Sequence, residues 1–217
     1  MKLIIFGNRD MAELTYFYFK NDSQYQPVAF CVDGVYIKES LFCDLPVIPF
    51  EEIKKTHSSY DHKFHASLYA SDMNVLRQKI SEKIECKGYE LVSYISSKAY
   101  IWNANIGKNA FILEGCNIQP FCKVGDNFMM WSFSHIGHHS VVGNNVFMSG
   151  NVVIAGHNNI GDNCFLGTNT ITRDNISIAE RTFLGQGSSV VKTISEKNGL
   201  WLGSPAKKIK NNDDFVL

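Results

Sequence analysis

The sequence predicts two folds in succession: a small α/β domain over residues 1–97 and a three-sided parallel β-solenoid over residues 98–217. Three observations predict the solenoid. One position in six is aliphatic from Ile106 to Val190, through Ile112, Ile118, Val124, Met130, Ile136, Val142, Met148, Ile154, Ile160, Leu166, Ile178 and Leu184, with Thr172 the exception. A period of six fits neither an α-helix nor a flat strand, but it fits a short strand and a turn repeated as one side of a coil. Two residues before each aliphatic position stands a mostly small one, including Ala110, Cys116, Cys122, Ser134, Ser140, Cys164 and Thr170. Asn109, Asn127, Asn145 and Asn163 stand eighteen residues apart, which returns every third strand to one corner and makes the solenoid three-sided. Asn tolerates the left-handed backbone of a tight corner, and stacked amides can bond from coil to coil. About five coils at ~4.8 Å each predict a rod roughly 24 Å long.

The N-terminal part is read from its apolar runs. Lys2 to Phe6 is a strand ending at Gly7, followed by a helix from about Met11 to Lys20 and a second strand from Val28 to Val32, ending at Asp33-Gly34. This order opens a doubly wound parallel sheet. Asp33 falls where such sheets place an acid against a ribose or base. The turn reads GNRDMA and lacks the glycines of a dinucleotide fingerprint, so a full dinucleotide site is not expected. A short extended piece at 46–48, a brief helix at 50–55 and a strand at 63–69 follow. Asp72 is expected to cap a helix running to about Lys87, closed by Gly88, and the strand 91–95 leads into the solenoid without a flexible linker.

Lys plus Arg equals Asp plus Glu at 21 each, so neither nucleic acid nor an anionic membrane has electrostatic support as a partner. No apolar run reaches the ~18 residues of a membrane span, and the chain opens directly on a strand, so a cytoplasmic protein is expected. The six cysteines show no metal-ligand spacing, and Cys116, Cys122 and Cys164 lie in the small-residue column, where core packing explains them. Four of the seven histidines fall between residues 135 and 157, beside corners and outside the aliphatic column. His139 and His157 are one coil apart, so their backbones should be stacking neighbours.

The hexad pattern resembles the hexapeptide-repeat acyltransferases, which carry a left-handed parallel β-helix. With VAFCVDG, ASDMNVLRQKI, SHIGHHSVVG, NNIGDNCFLGTNT and LGSPAKKI, the chain resembles bacterial nucleotide-sugar N-acetyltransferases and sialic-acid or bacillosamine-pathway acetyltransferases. These have a Rossmann-like α/β domain followed by the β-helix. The resemblance implies acetyl transfer from acetyl-CoA to the amino group of a UDP- or dTDP-linked deoxy-amino sugar, directly and without a metal, in a homotrimer. It makes His138 the general base, which suits a neutral imidazole removing a proton from an attacking amine. Relatives commonly follow this histidine with an acid, whereas this chain has His139. Either another carboxylate replaces that acid or His139 orients His138, and His135 is the rival for the role.

The same resemblance puts the Gly156 N–H near the thioester carbonyl and makes Phe147, His157, Thr168 and Gln186 acetyl-CoA contacts. It assigns Gly7, Asn8, Arg9, Asp33 and Asn74 to the nucleotide sugar. Arg77 matches the motif after the third strand, although a solvent-facing helix position explains it more simply. Lys207, Lys208 and Lys210 could meet the phosphates of CoA or form a solvated tail. Three other readings stay open: a sugar O-acetyltransferase, a zinc enzyme of the γ-carbonic-anhydrase type, and a non-catalytic nucleotide-binding trimeric module.

Overall fold

The structure, a computed structural model, describes residues 1–70 and 72–211. It divides into two compact units: one formed by residues 1–69 and 76–94, the other by 70–75 and 95–217.

In the first unit, β1 (Lys2–Phe6), β2 (Gln26–Val32), β3 (Leu41–Phe42), β4 (Leu45–Pro49) and β5 (His62–Ala66) form one sheet in the order β3-β4-β2-β1-β5. Every pairing is parallel except the β3–β4 hairpin. Leu3, Ile4 and Ile5 are all fully buried, which is why β1 reads as an unbroken apolar run: a parallel strand covered on both faces has no polar side. Helix α1 (Asp10–Asn21) joins β1 to β2 and buries Ala12, Thr15 and Phe19. Phe6, Phe50, Phe64 and Tyr89 pack edge to face in series, with centroids 5.4, 6.3 and 4.8 Å apart.

The elements after β4 differ from expectation. Phe50–Glu52 is a 3-10 turn leading into the four-residue helix α2 (Ile53–Thr56), and β5 ends at Ala66, short of residue 69. Helix α3 runs Val75–Cys86, and Asp72 does not cap it. Asp72, Met73 and Asn74 all have positive φ (45°, 52° and 65°), a conformation that cannot open an α-helix. In place of a strand over 91–95, Leu91 makes an isolated bridge to Phe64, and only Tyr94–Ile95 is extended in a sheet. Arg77 is fully buried and donates from Nε to Ala66 O at 3.0 Å, so the solvent-facing reading fails. Burial lowers its pKa to about 9.

The second unit is the solenoid. Sixteen two-residue strands, from Tyr100–Ile101 to Ser189–Val190, pair in parallel with the strands one coil away, in registers such as Asn117↔His135, Lys123↔Val141 and Met129↔Phe147. The inward column is sealed: Ile112, Ile118, Met130, Ile136, Met148, Ile154, Leu166 and Leu184 are all at 0% exposure. Burial also pushes the thiols of Cys116 and Cys164 up, to about 11 and about 12, as inert packing groups. Thr172 is tolerated in this column because its hydroxyl is used. It accepts the Ala155 N–H and one N–H of the buried Asn158 amide, both at 3.0 Å.

The corners bear out the eighteen-residue spacing. Asn109, Asn127, Asn145 and Asn163 have φ between 55° and 59°, and Asn109 donates to Asn127 and Asn127 to Asn145, each at 2.9 Å. The ladder then meets the segment 70–75: Asn163 donates to Met73 O at 2.9 Å, and Asn74 donates to Asn145 O at 2.7 Å. At the end of the solenoid, Gly199–Leu202 continues one face and pairs antiparallel with Lys207–Asn211, so the lysines expected in a solvated tail sit on a hairpin. Lys208 there pairs with Glu196 at 2.9 Å.

Candidate active site

Each corner is built from two residues, the second in the left-handed conformation, and one corner carries Pro120-Phe121, His138-His139, Gly156-His157 and Asp174-Asn175 on successive coils. His138, His139 and His157 are all exposed there, clear of the buried column. The His138 backbone N–H donates to Gln119 Oε1 at 2.9 Å, and His157 N–H donates to His138 O at 2.9 Å, so ladder bonds fix the backbones beneath the rings. The His139 and His157 rings stack at 4.9 Å, 15° from parallel, and Phe121 packs tilted against His139 at 4.8 Å.

His138 stands edge-on to this stack, with its Nδ1 3.0 Å from His139 Nδ1. Two ring nitrogens at that distance share one proton, so one imidazole is the donor and the other the acceptor. When His138 donates, its Nε2 carries a free lone pair. That nitrogen lies 3.0 Å from where a Cβ on Gly156 would stand, so the missing side chain leaves room for the ring. No carboxylate hydrogen-bonds to the His138 ring among the described residues; His139 holds the position of the missing acid. His135 lies on the flat strand His135–Ile136, half-buried, and burial lowers its pKa.

Several expected contacts are arranged otherwise. The Gly156 N–H donates to Asp174 Oδ1 at 2.9 Å, so it is not a free oxyanion donor. This is a bond of the solenoid itself: Asp126, Asn144 and Asp162 accept the N–H groups of Lys108, Asp126 and Asn144 in the same way, one coil apart. Asp174 was legible eighteen residues after Gly156, but sequence reasoning missed it, along with Gln119 and Phe121. Phe147 is 1% exposed and stacks on Phe165 at 4.9 Å, which stacks on Phe183 at 4.5 Å, so its ring packs against protein. Thr168 and Gln186 are exposed one coil apart on a different corner from His138, where Thr168 Oγ1 meets Ser149 Oγ at 2.8 Å.

In the first unit, the residues assigned to the nucleotide gather at the C-terminal ends of β1 and β2. Gly7 has φ 138° and donates its N–H to Cys31 O at 2.9 Å, and a Cβ there would fall 2.7 Å from Ser67 O, so only glycine fits. Asn8 donates to Tyr36 O at 3.1 Å, Arg9 is exposed at the start of α1, and Asp33 pairs with Lys83 at 3.6 Å. Glu51 accepts the Gly34 N–H beside Asp33 at 3.1 Å, and hydrogen bonds to the charged form from its own backbone N–H and then from Gly34 lower its pKa. Asn74 belongs to the second unit, where it is fully buried and its Nδ2 donates to Asn145 O at 2.7 Å.

No protein-family model matches the chain, and no curated protein matches it significantly. Solved structures do match along nearly its whole length. The acetyltransferase domain of PglB from Neisseria gonorrhoeae FA1090, in complex with acetyl coenzyme A, has TM-score 0.84 at 18% identity and covers 96% of this chain and 98% of that one. The chain has the fold of these acetyltransferases. PerB from Caulobacter crescentus, in complex with CoA and GDP-perosamine, has TM-score 0.74 at 19% identity and covers 97% and 98%. WeeI from Acinetobacter baumannii AYE has TM-score 0.67 at 20% identity and covers 96% and 100%. Among the described residues, no helix is long and apolar enough to cross a membrane.

Proposed function

We propose that this chain transfers the acetyl group of acetyl-CoA to the amino group of a nucleotide-linked deoxy-amino sugar, with His138 as general base. The observation that carries the reading is the His138 imidazole, set within a fold shared with acetyl-CoA-binding and GDP-perosamine-binding acetyltransferases. It is exposed, bonded through Nδ1 to His139, and faces a glycine through Nε2. The amine attacks the thioester carbonyl and its excess proton passes to His138 Nε2. Collapse of the tetrahedral intermediate then returns a proton to the departing CoA sulfur, so His138 ends as it began and no acyl-enzyme forms. Throughout, His138 Nδ1–H donates to His139 Nδ1, which keeps the lone pair on Nε2 and fixes the ring's orientation.

The first unit takes the nucleotide. Its strand order around β1 supports a Rossmann-like reading, and Gly7, Asn8, Arg9 and Asp33 lie where such a sheet binds ligands. UDP and dTDP are the expected nucleotides, and the GDP-linked sugar bound by one structural neighbour belongs in the same test. His157, Thr168 and Gln186 remain the proposed acetyl-CoA contacts, in a left-handed β-helix that trimerises in the cytoplasm. A thiol-release assay with acetyl-CoA against UDP-, dTDP- and GDP-linked amino sugars tests the reading. Release that depends on one of these sugars supports it, and no release above background with any of them removes it.

A further inference from the structure

Proton transfer needs two of the corner histidines, but the corner holds three. His138, His139 and His157 each offer a ring nitrogen, and the three nitrogens lie within 4.8 Å of one another. We propose that this triangle binds one divalent transition-metal ion of the zinc or cobalt kind, and that the ion occupies the imidazole lone pairs so that metal binding and acetyl transfer exclude each other. The exclusion rests on the proposed role of His138; the binding does not.

Neutral imidazole is a preferred ligand of these borderline-soft ions. A tetrahedral ion with bonds of ~2.0 Å holds its ligand nitrogens ~3.3 Å apart. His138 Nδ1 and His139 Nδ1 are already 3.0 Å apart. An ion between them displaces the shared proton from Nδ1, and His138 carries its proton on Nε2 instead, so both rings ligate as neutral imidazoles and Nε2 no longer has a lone pair for the amine. His157 is tied to His138 through the backbone bond of 2.9 Å, and its exposed ring closes the triangle by turning out of its stack on His139. The open corner leaves water for the fourth position. Elsewhere His57 and His62 bring two rings together at 4.8 Å, and among the described residues no third ligand joins them.

The test is a Co²⁺ titration of the untagged full-length chain, followed by visible absorption and equilibrium dialysis, with Zn²⁺ as competitor. One Co²⁺ per chain is expected, with the intense visible bands of a four-coordinate site, bleached by Zn²⁺. His157→Gln and, separately, His139→Gln should each weaken binding at least tenfold, while His57→Gln leaves it unchanged. Circular dichroism checks that each variant folds, and if one does not, the other decides. Absence of the bands, their persistence in both corner variants, or their loss in His57→Gln overturns the site. Full acetyl transfer at saturating Co²⁺ overturns the exclusion alone, whereas metal-free protein without acetyl transfer counts against the proposed function.

Discussion

His138 and His139 meet Nδ1 to Nδ1 at 3.0 Å, and this distance makes the protonation of one a condition on the other. If His138 is the base, His139 must accept through Nδ1. Asparagine can supply an acceptor oxygen near the same place, and it already occupies the matching left-handed positions at other corners, such as Asn145 and Asn163. His139→Asn should therefore keep most of the turnover, whereas His139→Ala should lose about tenfold. Steady-state kinetics on the two variants check this, and equal losses would remove the positioning role.

Gly156→Ala would put a methyl group 3.0 Å from His138 Cε1 and Nε2. Because the ring is exposed it can swing aside, so the melting temperature should change little while the base leaves its place. A displacement of about 1 Å can cost ~100-fold in turnover. A large fall in kcat with unchanged thermal unfolding is expected; loss of both together would assign the glycine a structural role only.

Asp33→Ala should raise the KM for the sugar nucleotide about tenfold, since losing a hydrogen bond to a charged group costs ~1.5 kcal/mol or more. Initial-rate measurements at saturating acetyl-CoA decide this. An unchanged KM would put the nucleotide elsewhere.

Ile136→Asn places an amide in a fully closed column between coils. Without partners there, it should cost several kcal/mol, and the loss should spread through neighbouring coils because each is stabilised by the next. Denaturant unfolding measures it, and a cost below ~1 kcal/mol would mean the column is less sealed than its burial indicates.

His65 gives the first unit a pH dependence. It is fully buried, with Nδ1 2.9 Å from Val92 O, and burial lowers its pKa to about 3. The unfolded chain binds this proton below about pH 6.5 and the folded chain does not, so stability falls as pH drops from 6.5 towards 3. At pH 4.5 the loss should reach roughly 2 kcal/mol relative to pH 7. Chemical unfolding at the two pH values tests it, with His65→Leu expected to flatten the difference.

The solenoid was legible because its signal is redundant: the aliphatic column, the small column and the asparagine corners each demand the same three-sided coil. The histidine corner was legible for the same reason, since the eighteen-residue repeat aligns His139 with His157. What the repeat could not tell was which outward residues would be covered. Phe147 occupies an outward position, yet it is buried in a ladder of stacked rings. Asn74 and Arg77 looked like surface residues near a ligand, but their burial depends on the backbone carbonyls of Asn145 and Ala66, which no local pattern announces. The Gly156–Asp174 bond was within reach, because the same residue types bond one coil apart along another corner.

The most direct test of the central claim is the turnover of His138→Ala with acetyl-CoA and the accepted sugar nucleotide, with the acetylated product identified by mass spectrometry. Positioned acid–base catalysis contributes ~10²–10⁴-fold, so turnover should fall by that factor while KM values and thermal unfolding stay close to those of the unaltered protein. Turnover retained in His138→Ala and lost in His135→Ala would contradict the account and move the base to the face of the prism.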